Sequence, residues 1–218
     1  MKYKAIIFDL DGTLLDTLND IGSSVNRVLA EKGFHPHPPE KYRDFIGDGS
    51  KMLVTRAIPK AHRNENLIKS CLEAFFKDYN QNWDNVTQLY EGIPELLDEL
   101  TQRGLKLAVL SNKRHDLTKK CVVKFCSKWH FDVMLGLRES VPRKPHPAAA
   151  LEIATRLSLP AKKIIYAGDS GTDMETALAA GMFPVGVLWG FRPAKELKAG
   201  GASALVDHPL SLLNLLGA

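Results

Sequence analysis

Asp9-Leu10-Asp11-Gly12-Thr13 sets two carboxylates two residues apart, directly after the apolar run Ala5-Ile6-Ile7-Phe8. In extended chain residues i and i+2 point the same way, so Asp9 and Asp11 are presented together where a strand ends. Like charges at that range repel and raise one pKa; a divalent cation, or a task that needs one acid protonated, accounts for such a pair. The competing reading is an exposed Asp-Gly turn. Three more clusters bear on the choice. Ser111-Asn112-Lys113 follows the buried-strand pattern Leu105–Leu110 and supplies a hydroxyl and backbone N–H groups suited to phosphate oxygens, although Ser-Asn alone is an ordinary turn. Arg143-Lys144-Pro145 precedes a helix with Pro147 in its first turn, where an ammonium can neutralise a transferring phosphoryl group; a lone lysine is otherwise solvated surface. Gly168-Asp169-Ser170-Gly171-Thr172-Asp173 adds two carboxylates in a tight turn, with a capped helix start as the plain alternative. Together, four carboxylates, a hydroxyl and one lysine form a hard-oxygen set that favours magnesium over zinc.

These residues need a scaffold that brings strand ends together. From about Gly92 the chain alternates helical and strand patterns. A helix with Ile93, Leu96, Leu97 and Leu100 on one face is closed by Gly104, and a strand follows over 105–110. Further helices are predicted near 115–124, 147–157 and 172–180, strands near 131–136, 163–167, 183–188 and 204–206, and a last helix after Pro209. This is the α/β alternation of a doubly wound parallel sheet, whose ligands bind beyond the carboxyl ends of its strands. Between the first strand and Gly92, amphipathic spacing at Leu18, Ile21, Val25, Val28 and Leu29, and again at Leu67, Cys71, Phe75 and Phe76, marks helices without strands. That length exceeds a single crossover, so residues 17–86 are expected to form an inserted helical domain over one end of the sheet, with 1–16 and 87–218 as the core.

The net charge of +4 is too weak a bias for a nucleic-acid partner without a basic stripe, and suits an anionic small substrate. Cys71, Cys121 and Cys126 are odd in number and lack C-x-x-C spacing, which argues against a disulfide framework or a zinc site and for a reducing cytoplasm. The first apolar run is too short for a signal peptide, and the longest uncharged stretch is broken by Gly181, Pro184 and Gly186, so no membrane partner is expected. His35-Pro36-His37 beside Pro38-Pro39 reads as a solvated loop rather than a metal site, Trp83 and Trp129 as packing residues, and Cys71 as a small buried hydrophobe.

The order of these clusters, with Asp16-Thr17 after the first, resembles the haloacid dehalogenase superfamily of phosphohydrolases over essentially the whole chain. The resemblance implies a Rossmann-like core with an inserted helical cap, a nucleophile at Asp9 and an acid/base at Asp11. It implies phosphate contacts from Thr13, Ser111, Asn112 and Lys144, and magnesium held by Asp9, the Asp11 carbonyl and Asp169 with support from Asp173. Asp11 favours phosphate over halide chemistry. Gly47-Asp48-Gly49, Ser111-Asn112-Lys113, Trp189-Gly190-Phe191 and Asp207-His208-Pro209 are similar to phosphoglycolate phosphatases, which implies 2-phosphoglycolate as substrate of a cytoplasmic monomer or homodimer. Pyrophosphatases, sugar-phosphate phosphatases and phosphomutases of the superfamily share most of these features. A receiver-type signalling domain and a non-catalytic scaffold are the rivals of another class; a receiver needs neither the insert nor Asp11. Within the insert, Gly47, Gly49 and Lys51 form a turn opening a helix, whose free N–H groups and added charge suit a substrate carboxylate; a plain hinge with a solvated lysine is the alternative.

Overall fold

The computed structural model describes residues 2–217. In chain order the elements are β1 (Ala5–Phe8), β2 (Leu15–Asp16), α1 (Leu18–Glu31), α2 (Tyr42–Phe45), α3 (Ser50–Ala57), α4 (Glu65–Asn82), β3 (Gln88–Leu89) and α5 (Ile93–Gln102). There follow β4 (Lys106–Arg114), α6 (His115–Phe125), β5 (Val133–Leu137), α7 (Ala148–Leu157), β6 (Ile164–Gly168), α8 (Gly171–Ala179), β7 (Phe183–Val187), α9 (Ala194–Ala199) and β8 (Ala204–Val206). The chain divides into two compact units, Met1–Leu15 with Leu89–Ala218, and Asp16–Gln88.

The larger unit is built on a six-stranded sheet in the order β5-β4-β1-β6-β7-β8, with every pairing parallel. Such a sheet must be covered on both faces, which explains why β1 and β6 are continuous buried runs, Ala-Ile-Ile-Phe and Ile-Ile-Tyr-Ala-Gly. Ile7, Ala108, Leu110, Leu135 and Tyr166 on one face pack with Ile153 and Leu157 of α7 and with Ala177 of α8. Each of the buried isoleucines and leucines contributes about 1.5–3 kcal/mol. Register then aligns the exits: Phe8 pairs with Val109 on one side and Ala167 on the other, so the residues after β1, the end of β4 and those after β6 leave the sheet along one edge.

Helix α5 buries the four residues its periodicity singles out, and Gly92 before it takes the left-handed φ of 81°. Two expectations need correction. Strand β4 does not stop at Leu110 but continues to Arg114, with a register irregularity between those residues, so Ser111-Asn112-Lys113 is bent strand rather than a turn. The segment after Pro209 is a seven-residue 3-10 helix, started by a proline that the helix tolerates in its first turn.

The smaller unit is helical apart from one residue each of β2 and β3, which pair with each other where the chain passes between units. Its ends are tied by Asp20 in the first turn of α1. That buried carboxylate accepts from the Val86 and Thr87 amides, the latter at 2.8 Å, and from the Thr87 hydroxyl at 2.7 Å. His37 is not a solvated residue: its ring lies 2.8 Å from the Ala57 carbonyl and its amide donates to Asn26. Trp83 and all three cysteines are buried, the cysteines as free thiols. Among the described residues no helix is long and apolar enough to cross a membrane.

Candidate active site

Asp9 leaves β1 with its amide still bonded to the Ala167 carbonyl at 2.9 Å, so the sheet ladder fixes where its side chain emerges. The loop then folds back on one acceptor: the Leu10 carbonyl takes the amides of Thr13, Leu14 and Leu15. Gly12 sits in this turn at φ 89°, where an L side chain is strained.

Lys144 is the hub of the site. It is 3% exposed, and its ammonium lies 2.7 Å from Asp173 Oδ1, 2.9 Å from Asp9 Oδ1 and 3.2 Å from the Leu110 carbonyl. Burial works against its charge, but Asp173 and Asp9 outweigh that and hold the ammonium well above its ordinary pKa. Asn112 grips its backbone from both sides, accepting from the Lys144 amide at 3.0 Å and donating to its carbonyl at 3.2 Å. Asn112, expected as a phosphate ligand, thus commits its side-chain amide to placing Lys144. Ser111 is buried beside it, and its Oγ accepts from the Lys113 amide.

Asp173 is fully buried and doubly engaged. Oδ1 accepts from Lys144 and, at 3.3 Å, from the Tyr166 hydroxyl; Oδ2 closes a capping box with the Ser170 amide and hydroxyl at the start of α8. Asp169, one residue past β6, is buried and accepts from the Phe191 amide at 2.7 Å.

Asp9, Asp169 and Asp173 bring ligand atoms within 4.8 Å of one another. Three buried carboxylates against one close lysine are electrostatically expensive. Burial pushes the Asp9 carboxyl up to about 7, with Lys144 opposing and Asp173 reinforcing the rise. Burial, then the charges of Asp9 and Asp173, raise Asp169 well above the ordinary carboxylate range. Asp9 Oδ1 is buried, and its neighbour is the Lys144 ammonium at 2.9 Å, an ion pair. Three buried carboxylates set against a single lysine leave an excess of negative charge on oxygen donors, a set that fits a small hard divalent cation. Thr13 Oγ1 is likewise buried without a partner in the loop after Asp9.

Lys113, which carries no separate role in the sequence reading, pairs with Asp11 at 2.9 Å, and both are largely buried. Nothing in local patterning marks it, because the contact spans two strand ends. In the smaller unit, Gly47 and Gly49 adopt φ of 121° and 82° ahead of α3, while Lys51 meets Glu65 at 3.2 Å with both side chains exposed. Arg56 pairs with Asp48 of the same turn, a partner that sequence spacing did not single out.

A parallel sheet with an aspartate beyond its first strand, and a lysine and two further aspartates gathered beside it, is an α/β core with its charged groups at the carboxyl edge of the sheet. The chain belongs to the haloacid dehalogenase-like hydrolases, whose family model matches residues 6–187. It is similar to the phosphoglycolate phosphatase of Haemophilus influenzae strain 86-028NP, 32% identical over 99% of each chain. It is also similar to that of Xanthomonas campestris pv. campestris strain 8004, 32% identical over 96% and 94%. Among solved structures, a Lactobacillus delbrueckii subsp. bulgaricus protein provisionally assigned as a phosphoglycolate phosphatase superposes with a TM-score of 0.93, at 33% identity over 99% of both chains.

Proposed function

We propose that this protein is a magnesium-dependent phosphatase that hydrolyses 2-phosphoglycolate through a phosphorylated Asp9. The observation that carries this reading is the Asp9 carboxylate itself: buried at the end of the first strand, 2.9 Å from a buried lysine and clustered with Asp169. A carboxylate fixed beside a cation that can neutralise a phosphoryl group is placed to act as a nucleophile. The substrate assignment draws on the full-length likeness to phosphoglycolate phosphatases.

In the first half-reaction an Asp9 oxygen forms a bond to phosphorus in line with the ester oxygen, whose bond to phosphorus breaks. Asp11, paired with Lys113 in the free chain, acts in the substrate complex as the protonated acid and gives that proton to the leaving oxygen, releasing glycolate. In the second half Asp11 takes a proton from water, the water oxygen attacks phosphorus, and the Asp9–phosphorus bond breaks to return the carboxylate and free phosphate. Lys144 offsets charge on the phosphoryl oxygens throughout, held by Asn112 and Asp173; Ser111 and Thr13 add hydroxyls. Magnesium, held by Asp9, the Asp11 carbonyl and Asp169 with Asp173 in support, would supply further positive charge to the same oxygens. Within residues 17–86 we assign Gly47, Gly49 and Lys51 as the candidate group for binding a carboxylate.

The test is phosphate release with magnesium from 2-phosphoglycolate, hexose phosphates and pyrophosphate, joined to rapid quench. The expected result is the highest kcat/KM on 2-phosphoglycolate and a phosphorylated Asp9 peptide in the quenched sample. Preference for a hexose phosphate or pyrophosphate overturns the substrate. Turnover without phospho-Asp9 overturns the covalent route.

A further inference from the structure

The segment that follows β7 carries no carboxylate at the site, yet it touches the site at three points. The Phe191 amide donates to Asp169 Oδ2 at 2.7 Å. Two residues earlier, the Trp189 indole donates to the Thr13 carbonyl at 3.0 Å, in the loop after Asp9. Between them Gly190 runs so close to Asp169 and the Gly12 carbonyl that a Cβ would fall on both. Gly12 meets the contact from the other side: a Cβ there would strike the Asp169 carboxylate and come within 2.9 Å of the Phe191 ring. The pairing of Gly168 with Gly186 sets the exits of β6 and β7 side by side, which makes this approach possible.

We propose that Trp189, Gly190 and Phe191 are positioning residues that clamp the Asp169 carboxylate and so prepare it as a cation ligand. The inference rests on the reading of Asp169 as a magnesium ligand given above. A carboxylate that must be ordered when the ion arrives loses affinity to rotamer entropy; one already fixed by an N–H donor does not. With Oδ2 committed to Phe191, Asp169 is biased toward giving the ion its other oxygen, the single-oxygen ligation that suits the tight octahedral demand of magnesium. The Trp189 bond ties this clamp to the loop bearing Asp9, so the two carboxylates are held by one framework.

The experiment is calorimetric titration of the metal-free full chain with magnesium chloride, alongside the magnesium dependence of phosphate release. Trp189→Phe keeps the ring and deletes one N–H. By releasing the loop that follows Asp9 from the segment that holds Asp169, it is expected to weaken magnesium binding about tenfold, the size of effect seen when an outer-shell partner is lost. Most of the lost activity should return at saturating magnesium. Gly190→Ala should cost more; if it does not fold, Trp189→Phe still decides. Deleting another indole N–H with Trp129→Phe, whose donor bonds Asp98 at 2.7 Å, should leave magnesium affinity unchanged. Unaltered affinity in Trp189→Phe, or equal losses in both tryptophan variants, overturns the clamp. A wild-type chain that binds no magnesium overturns the cation reading of Asp169 itself, and the clamp with it.

Discussion

Two lysines in this chain occupy opposite surroundings. Lys144 in the larger unit is 3% exposed and touches two carboxylates and a carbonyl; Lys51 in the smaller unit has a side chain 60% exposed and one partner, Glu65, more exposed still. Around Lys144 every charge depends on its neighbours, because none can be handed to water. Around Lys51 water and salt screen the pair, and exposed ion pairs of that kind are worth about 0–1 kcal/mol. Chemistry that must not reorganise is thus built into the buried cluster at a cost in stability, whereas the exposed turn can change without disturbing the fold.

Asp9→Asn probes that cost most directly, and its effect on turnover should be the largest: phosphate release falls to background. The same change should stabilise the metal-free protein. The folded Asp9 pKa is raised from 3.8 to about 7, so the group favours folding below pH 3.8, and that contribution is lost as pH climbs to about 7. At pH 7.5 the metal-free Asn variant should therefore melt at least about 3 °C above the wild type, the shift that about 1 kcal/mol gives a domain of this size. A lower melting temperature for the variant at that pH would mean that Asp9 is not held against its preference.

Lys144→Met comes next. Removing one member of a buried ionic set leaves the others uncompensated, and the expected loss is about 3–5 kcal/mol by denaturant unfolding, with turnover down about a hundredfold or more. Because Asp9 and Asp169 can take up protons, the destabilisation should shrink from pH 8 to pH 5. A loss that does not vary with pH would locate it in packing rather than in charge.

What was legible in the sequence divides along the same line. Strands buried on both faces spell out runs such as Ile164–Gly168, and α5 announces Ile93, Leu96, Leu97 and Leu100, so the parallel sheet could be read. Asp9 and Asp169 stood out because charge at the end of an apolar strand is costly without a purpose, Asp173 because it shares the turn of Asp169, and Lys144 because it precedes a helix start. What escaped were groups whose role comes from tertiary contact alone. Nothing local shows that the Asn112 side-chain amide bonds the Lys144 backbone, and Lys113 is one more lysine until it meets Asp11. Trp189-Gly190-Phe191 carries family likeness but no charge, so nothing local links it to Asp169. Strand β4 ran past its expected end because Ser-Asn is a common turn pair, and only the neighbouring strand shows that it stays extended to Arg114.

The smallest predicted effect concerns the exposed lysine and sharpens the comparison from its other side. Lys51 sits in the first turn of α3, after two glycines with positive φ, so free amides and an ammonium are offered together. Its bond to Glu65 competes with any ligand, but a screened surface pair is easily exchanged for a substrate carboxylate. Lys51→Ala should leave thermal stability within about 0.5 kcal/mol of wild type, as surface substitutions do. It should lower kcat/KM for 2-phosphoglycolate about tenfold, the loss of one charge-assisted hydrogen bond, and scarcely alter hydrolysis of ethyl phosphate, which has no carboxylate to recognise. Glu65→Gln should move the first ester in the opposite direction by freeing the ammonium. Equal losses on both esters would assign Lys51 to a general role in turnover, and no loss on either would leave it a solvated residue. A drop in stability comparable to that of Lys144→Met would erase the distinction between the two lysines.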